Sequence, residues 1–138
     1  MKAIQFQAYG SYEENRLVEV DCPKPKDGEV LVEMRAVGIN SLDNTFRSDH
    51  IYLSTPENLP RIGGHSGVGV VLETRSADFK AGDRVFVKGP GWGLVTDGTW
   101  REYVAAAAAG LVRVPTDLDD DHAAGYLAGA GPRHKEGV

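Results

Sequence analysis

The run Glu29-Val30-Leu31-Val32-Glu33-Met34-Arg35-Ala36-Val37 narrows the folds open to this chain more than any other segment. Val30, Val32, Met34 and Ala36 recur at every second residue, with Glu29, Glu33 and Arg35 between them. A spacing of two puts the apolar set on one face of a strand and the charges on the other, so the run predicts the clearest strand in the sequence. The period breaks at Gly38. Beyond it Ser41 offers an N-cap and Asp43-Asn44 suits a first turn, which predicts a short helix over 42–48.

Shorter segments repeat the strand pattern. Ile4 and Phe6 alternate with Gln5 and Gln7 in 2–7, and an apolar-acidic alternation over 17–21 stops at Pro23 and Pro25, which offer no backbone donor. Val68 to Glu73, Asp83 to Lys88, 99–106 and 111–114 complete the predicted strands, with 49–61 and the Gly-rich 89–98 as loops. Seventeen glycines and seven prolines in 138 residues fit many short strands joined by tight turns. The expected class is therefore mainly β, a closed or partly open barrel with short peripheral helices. Asp119, Asp120 and Asp121 open a further helix over 119–128, which Gly129, Gly131 and Pro132 end before a polar tail at 132–138.

Composition removes several functions. A net charge of −5 gives no footprint for nucleic acid or an anionic membrane. The longest apolar run, Val104 to Ala109, is far too short to span a bilayer, and no signal-peptide core follows Met1. Cys22 is the single cysteine, so neither an internal disulfide nor a cysteine-based zinc cluster can form. The expectation is a soluble, cytoplasmic protein.

Three motifs in order carry a family resemblance: Gly38-Ile39-Asn40-x-x-Asp43, then Gly63-Gly64-His65-Ser66-Gly67-Val68-Gly69, then Ala81-Gly82-Asp83-Arg84-Val85. The strand Gly98-Thr99-Trp100-Arg101-Glu102-Tyr103-Val104 adds a fold marker. Together they resemble the N-terminal, GroES-like half of medium-chain dehydrogenases/reductases, closest to the zinc-independent quinone oxidoreductases. The resemblance covers 1–131 and implies a GroES-like catalytic domain over 1–118. It implies that the helix at 119–131 normally leads into a Rossmann cofactor domain, which these residues do not include. It also implies hydride transfer from NADPH to a quinone or enone, in an enzyme whose cofactor carries the chemistry. Without the Gly-x-Gly-x-x-Gly turn, this chain alone is expected to bind NADPH weakly and to be inactive. A homo-oligomer is expected, since the faces left uncovered are apolar.

The resemblance assigns roles residue by residue. Asn40 stands where zinc-type relatives place a cysteine, and would face the nicotinamide and substrate as a polar orienting group; it also suits a helix cap. Asp43 would be a cleft-side acid, or would simply complement the helix dipole. Arg47 could reach a cofactor phosphate or pair with Asp43 at i,i+4. Tyr52 matches an aromatic hydroxyl at the cofactor cleft, or is a loop tyrosine. His65 and Trp92 would line the substrate cleft; the alternatives are a histidine satisfied by backbone groups and a tryptophan packing its loop. Ser66 replaces the glutamate of zinc-type relatives, and one imidazole cannot close a zinc site that needs three protein ligands, so no metal is expected. The rival reading is a stand-alone GroES-like module that binds a small hydrophobic molecule or a protein partner.

Overall fold

The computed structural model describes residues 1–39, 41–48, 54–89, 91–115 and 118–125. Asn40, Tyr52 and the tail at 132–138, all singled out above, lie outside the described residues.

Among the described residues, eight strands form two antiparallel sheets. β1 (Lys2–Phe6) lies between β2 (Asn15–Glu19) and β4 (Arg61–Ile62) in a three-stranded sheet. The other sheet has the order β7-β3-β5-β6-β8, built from β3 (Glu29–Val37), β5 (Ser66–Thr74), β6 (Arg84–Lys88), β7 (Tyr103–Ala107) and β8 (Val112–Arg113). Residues 100–102 join the sheets without belonging to a strand. The Ile4 N–H donates to the Trp100 carbonyl at 2.8 Å, the Glu102 N–H to the Lys2 carbonyl at 3.2 Å, and the Met34 N–H to the Glu102 carbonyl at 2.8 Å. Ala3 and Arg101 are thus bridged, and the two sheets curl toward one another as a partly open barrel.

The alternation in β3 does what its period requires. Val30 and Val32 are fully buried and pack with Val71, Val85, Val87, Val104 and Ala106. Two register shifts on β5, between Leu31/Val32 and Met34/Ala36, bend the strand, and bulges of this kind supply the extra twist a curved sheet needs. The opposite face is covered by α2 (Asp120–Gly125), whose Ala123 joins Val68, Phe86 and Val114. Asp119 caps this helix by accepting from the His122 N–H at 2.8 Å, and Arg84 ties it down by donating to the Leu118 carbonyl and the Asp120 carboxylate, each at 2.7 Å.

Several boundaries differ from the sequence expectation. α1 spans Ser41–Ser48, so Ser41 is its first residue and not its cap. The strand expected over 99–106 begins only at Tyr103, because 100–102 spend their backbone groups on β1 and β3. Arg61 and Ile62 form a short strand where the 49–61 loop was expected to end, since β1 offers them a free edge. The second strand lies at Asn15–Glu19, not 17–21, behind a 3-10 turn at Tyr12–Glu14.

Candidate functional site

The residues around His65 are held by a backbone seam. Gly63 and Gly64 run beside Gly98, Thr99 and Trp100: the Gly98 N–H donates to the Ile62 carbonyl at 2.9 Å and the Trp100 N–H to the Gly63 carbonyl at 3.0 Å. Gly64 has φ +99°, a conformation side chains resist, and a Cβ there would meet Thr99 Oγ1 and Trp100 Cδ1 at 2.6 Å each. On its other side Gly93 closes in, its own hypothetical Cβ 3.0 Å from the Gly64 carbonyl oxygen. The glycines noted in the sequence thus serve close backbone approach. At Gly89 the indole of Trp92 occupies the space a side chain would take.

His65 emerges from this seam half-buried, at the foot of β5. Ser66 follows it, fully buried; its carbonyl accepts from Thr99 Oγ1 at 2.9 Å and from the Gly38 N–H at 3.1 Å. That second bond brings the end of β3, and hence the start of α1, up to His65. Asp43, 7% exposed in the first turn of α1, lies close enough to act electrostatically on the imidazole, as does Lys88 at the end of β6. The two charges act on His65 in opposite senses, Lys88 disfavouring its protonation and Asp43 favouring it. Lys88 was not anticipated, since only the β5–β6 register sets it opposite Ser66.

The other expected site residues are placed as follows. Trp92 lies partly buried against Gly89 and the main core, in the Gly-rich loop whose Gly93 touches Gly64. It lines a small cavity of about 160 Å³ together with Lys88 and Leu111. Arg47 is buried and donates to the Gly10 carbonyl at 3.2 Å and to Asn44 Oδ1 at 2.6 Å, while its own carbonyl accepts from the Gly10 N–H. It fastens α1 to the Gly10 turn; the i,i+4 partnership with Asp43 is not among the ion pairs of the described residues. An apolar concavity of about 570 Å³ is lined by Leu17, Met34, Val37, Ile39, Trp100 and Arg101 among others. The described residues contain no group of three or more histidine, cysteine or acidic side chains placed to hold a metal ion.

Burial pushes the His65 imidazole below its ordinary value of 6.5, the charge of Lys88 acts in the same direction, and Asp43 opposes them. The unfolded chain then takes up a proton at His65 more readily than the folded one, so stability is lost as pH falls below 6.5 and is flat from this source above it. Urea unfolding of the native chain between about pH 7.5 and about pH 5.5 should show this loss, and His65→Gln should remove that part of it. An identical pH slope in the substituted chain would show that His65 titrates as though unfolded.

With this geometry in hand, the comparisons with known proteins become specific. The family described as the alcohol dehydrogenase GroES-like domain matches residues 26–116, and the chain belongs to it. Among curated proteins it is 34% identical over 129 residues to a quinone oxidoreductase of Pseudomonas aeruginosa, covering 91% of this chain and 37% of that protein. It is 27% identical over 128 residues to the human synaptic vesicle membrane protein VAT-1 homolog-like, covering 91% of this chain and 29% of that one. The Escherichia coli quinone oxidoreductase solved in complex with NADPH superposes with a TM-score of 0.74 at 28% identity, over 90% of this chain and 36% of that one. The chain is thus quinone-oxidoreductase-like and spans about a third of the length of these relatives.

Proposed function

We propose that this chain is the substrate-side wall of an NADPH-dependent quinone or enone reductase. The observation that carries the reading is the match of residues 26–116 to this family, with Asp43 in the first turn of α1 and His65 at the foot of β5, tied to the end of β3 by the Gly38–Ser66 bond. When bound, NADPH would supply the hydride, and a proton would complete the reduction. The described residues do not fit its phosphate end: Trp92 fills the space over Gly89, Gly93 and Gly98 abut Gly64, and Arg47 is committed to Gly10 and Asn44. What this chain's residues do is bind and orient the substrate. Asn40 and Asp43 are assigned to the polar lining at the nicotinamide end and Tyr52 to its rim, with His65 and Trp92 on the substrate side. No described helix is long and apolar enough to cross a membrane; a cytoplasmic location is part of the proposal.

The test compares the chain alone with a chimera in which it replaces the matching third of the Pseudomonas aeruginosa quinone oxidoreductase. NADPH fluorescence titration should show no saturation of the isolated chain below about 1 mM, since its 138 residues hold no Gly-x-Gly-x-x-Gly turn of the kind that binds a pyrophosphate. The chimera should reduce quinones and lose that activity with Asn40→Ala. A folded chimera that binds NADPH but reduces no quinone or enone would overturn the reading. So would tight NADPH binding by the chain alone.

A stand-alone module that binds an apolar molecule or partner is the second reading. The concavity edged by Leu17, Val37 and Ile39 favours it, because these three apolar side chains remain exposed on one face.

A further inference from the structure

We propose that two copies of this chain pair edge to edge through β7, joining their five-stranded sheets into one. The ladder between β3 and β7 shows which backbone groups are left over. The Met34 N–H donates to the Glu102 carbonyl at 2.8 Å and the Ala108 N–H to the Gly28 carbonyl at 3.0 Å. These bonds flank the pairs Glu33–Tyr103 and Glu29–Ala107, which are therefore of the non-hydrogen-bonded kind, as is Leu31–Ala105 midway between them. Val104 and Ala106 exchange bonds with Val32 and Val30, while Tyr103, Ala105 and Ala107 turn their N–H and C=O groups away from β3. These outward groups have no hydrogen-bond partner among the described residues.

β7 is also the outer strand least protected against such pairing. β4 and β8 are two residues long, and β2 carries Arg16 and Glu19. β7 has five residues, with no charge and no proline among them. Charged side chains, prolines and short length are the usual means by which an edge is kept from adding a further strand. The edge is complementary to itself. An antiparallel copy with Ala105 on the two-fold axis sets Tyr103 against Ala107 at both ends, a large side chain opposite a small one each time. The three rows exchange about six hydrogen bonds. Charge permits the pairing although each chain carries −5. Glu29 and Glu33, which flank β7 on β3, end up three strand spacings from their counterparts, about 14 Å, beyond the screening length at physiological salt. Val104 and Ala106 keep their side chains in the core of each copy, so pairing needs no rearrangement there.

Analytical ultracentrifugation of the full chain from about 1 to about 500 µM tests the pairing, with Ala105→Pro and Leu17→Lys compared. The native chain should pass from monomer to dimer. Ala105→Pro removes an N–H that β3 does not use, so the fold should survive. Its dimer dissociation constant should rise at least about tenfold, because two bonds at the axis are lost. Leu17→Lys, on the apolar concavity, should dimerise as the native chain does. Hydrogen exchange supplies a second measurement: the Tyr103, Ala105 and Ala107 amides should gain protection with concentration, and those of Val104 and Ala106 should be protected throughout. A monomer at the highest concentration would overturn the proposal. So would a dimer that persists in Ala105→Pro, or one lost in Leu17→Lys, which would assign the contact to the concavity. Should Ala105→Pro fail to fold, exchange in the native chain decides: a dimer whose amides at 103, 105 and 107 stay unprotected would count against edge pairing.

Discussion

Gly98→Ala is expected to destabilise the chain by about 3 kcal/mol, the upper end of what overpacking a filled interior costs. A Cβ at this position would fall well inside contact distance of the Gly64 carbonyl oxygen and 2.5 Å from that of Gly63. Both obstacles are backbone, so no side-chain rotation relieves them. The segment that carries Gly98, Thr99 and Trp100 would have to withdraw from 63–64, breaking the Gly98 bond to Ile62 and the Trp100 bond to Gly63. For a domain of this size that loss is a large fraction of total stability. Urea unfolding would measure it. The loss should appear with no change in m-value, and the His65 amide signal should move, since His65 leaves the same seam. A Gly98→Ala chain as stable as the native one would mean that the seam is not packed as described.

Phe6→Ala should cost about 3 kcal/mol or more, the range for truncating a buried aromatic. Phe6 is 2% exposed, pairs with Asn15 on one side and Arg61 on the other, and lies 6.0 Å from the ring of Tyr9. It is the side chain on which the small three-stranded sheet closes. That sheet reaches the larger one through residues 100–102, so its loosening should be felt beyond β1. Hydrogen exchange would show the range of the effect: Ile4, Gly63 and Trp100 amides should lose protection along with β2 and β4. If protection fell only in β2, the two sheets would be separate cooperative units.

What was legible in the sequence follows from how local each signal is. The alternation in 29–37 and the break at Gly38 need only neighbouring residues, and β3 and α1 appear where these place them. Asp119 capping α2 is similarly local. Residues 100–102 read as strand and are not counted in one, because their partners lie on β1 and β3, far away in sequence. Arg61 and Ile62 carry too short a pattern to register; the open edge of β1 makes them a strand. In the site, His65 and Asp43 drew attention through family motifs, and the Gly38–Ser66 bond, which no local pattern announces, ties the end of β3 to the start of β5. Lys88 could be found only once β6 was in register with β5. Arg47 had two possible roles on paper, and its hydrogen bonds to Gly10 and Asn44 give it the work of holding the helix.

The packing of Gly64 between Gly93 and Gly98 has a bearing on how such a cleft can change over generations. At these three points the missing side chain is the functional feature: bulk added at Gly93 or Gly98 presses on main chain that cannot step aside, and bulk at Gly64 presses on Thr99 and the Trp100 ring. Inheritable variation is therefore steered away from the scaffold and into the residues that project from it. His65 and Trp92 can be exchanged to suit a new substrate while the peptide groups beneath them stay put. A frame this intolerant of its own alteration leaves the chemistry above it free to diversify.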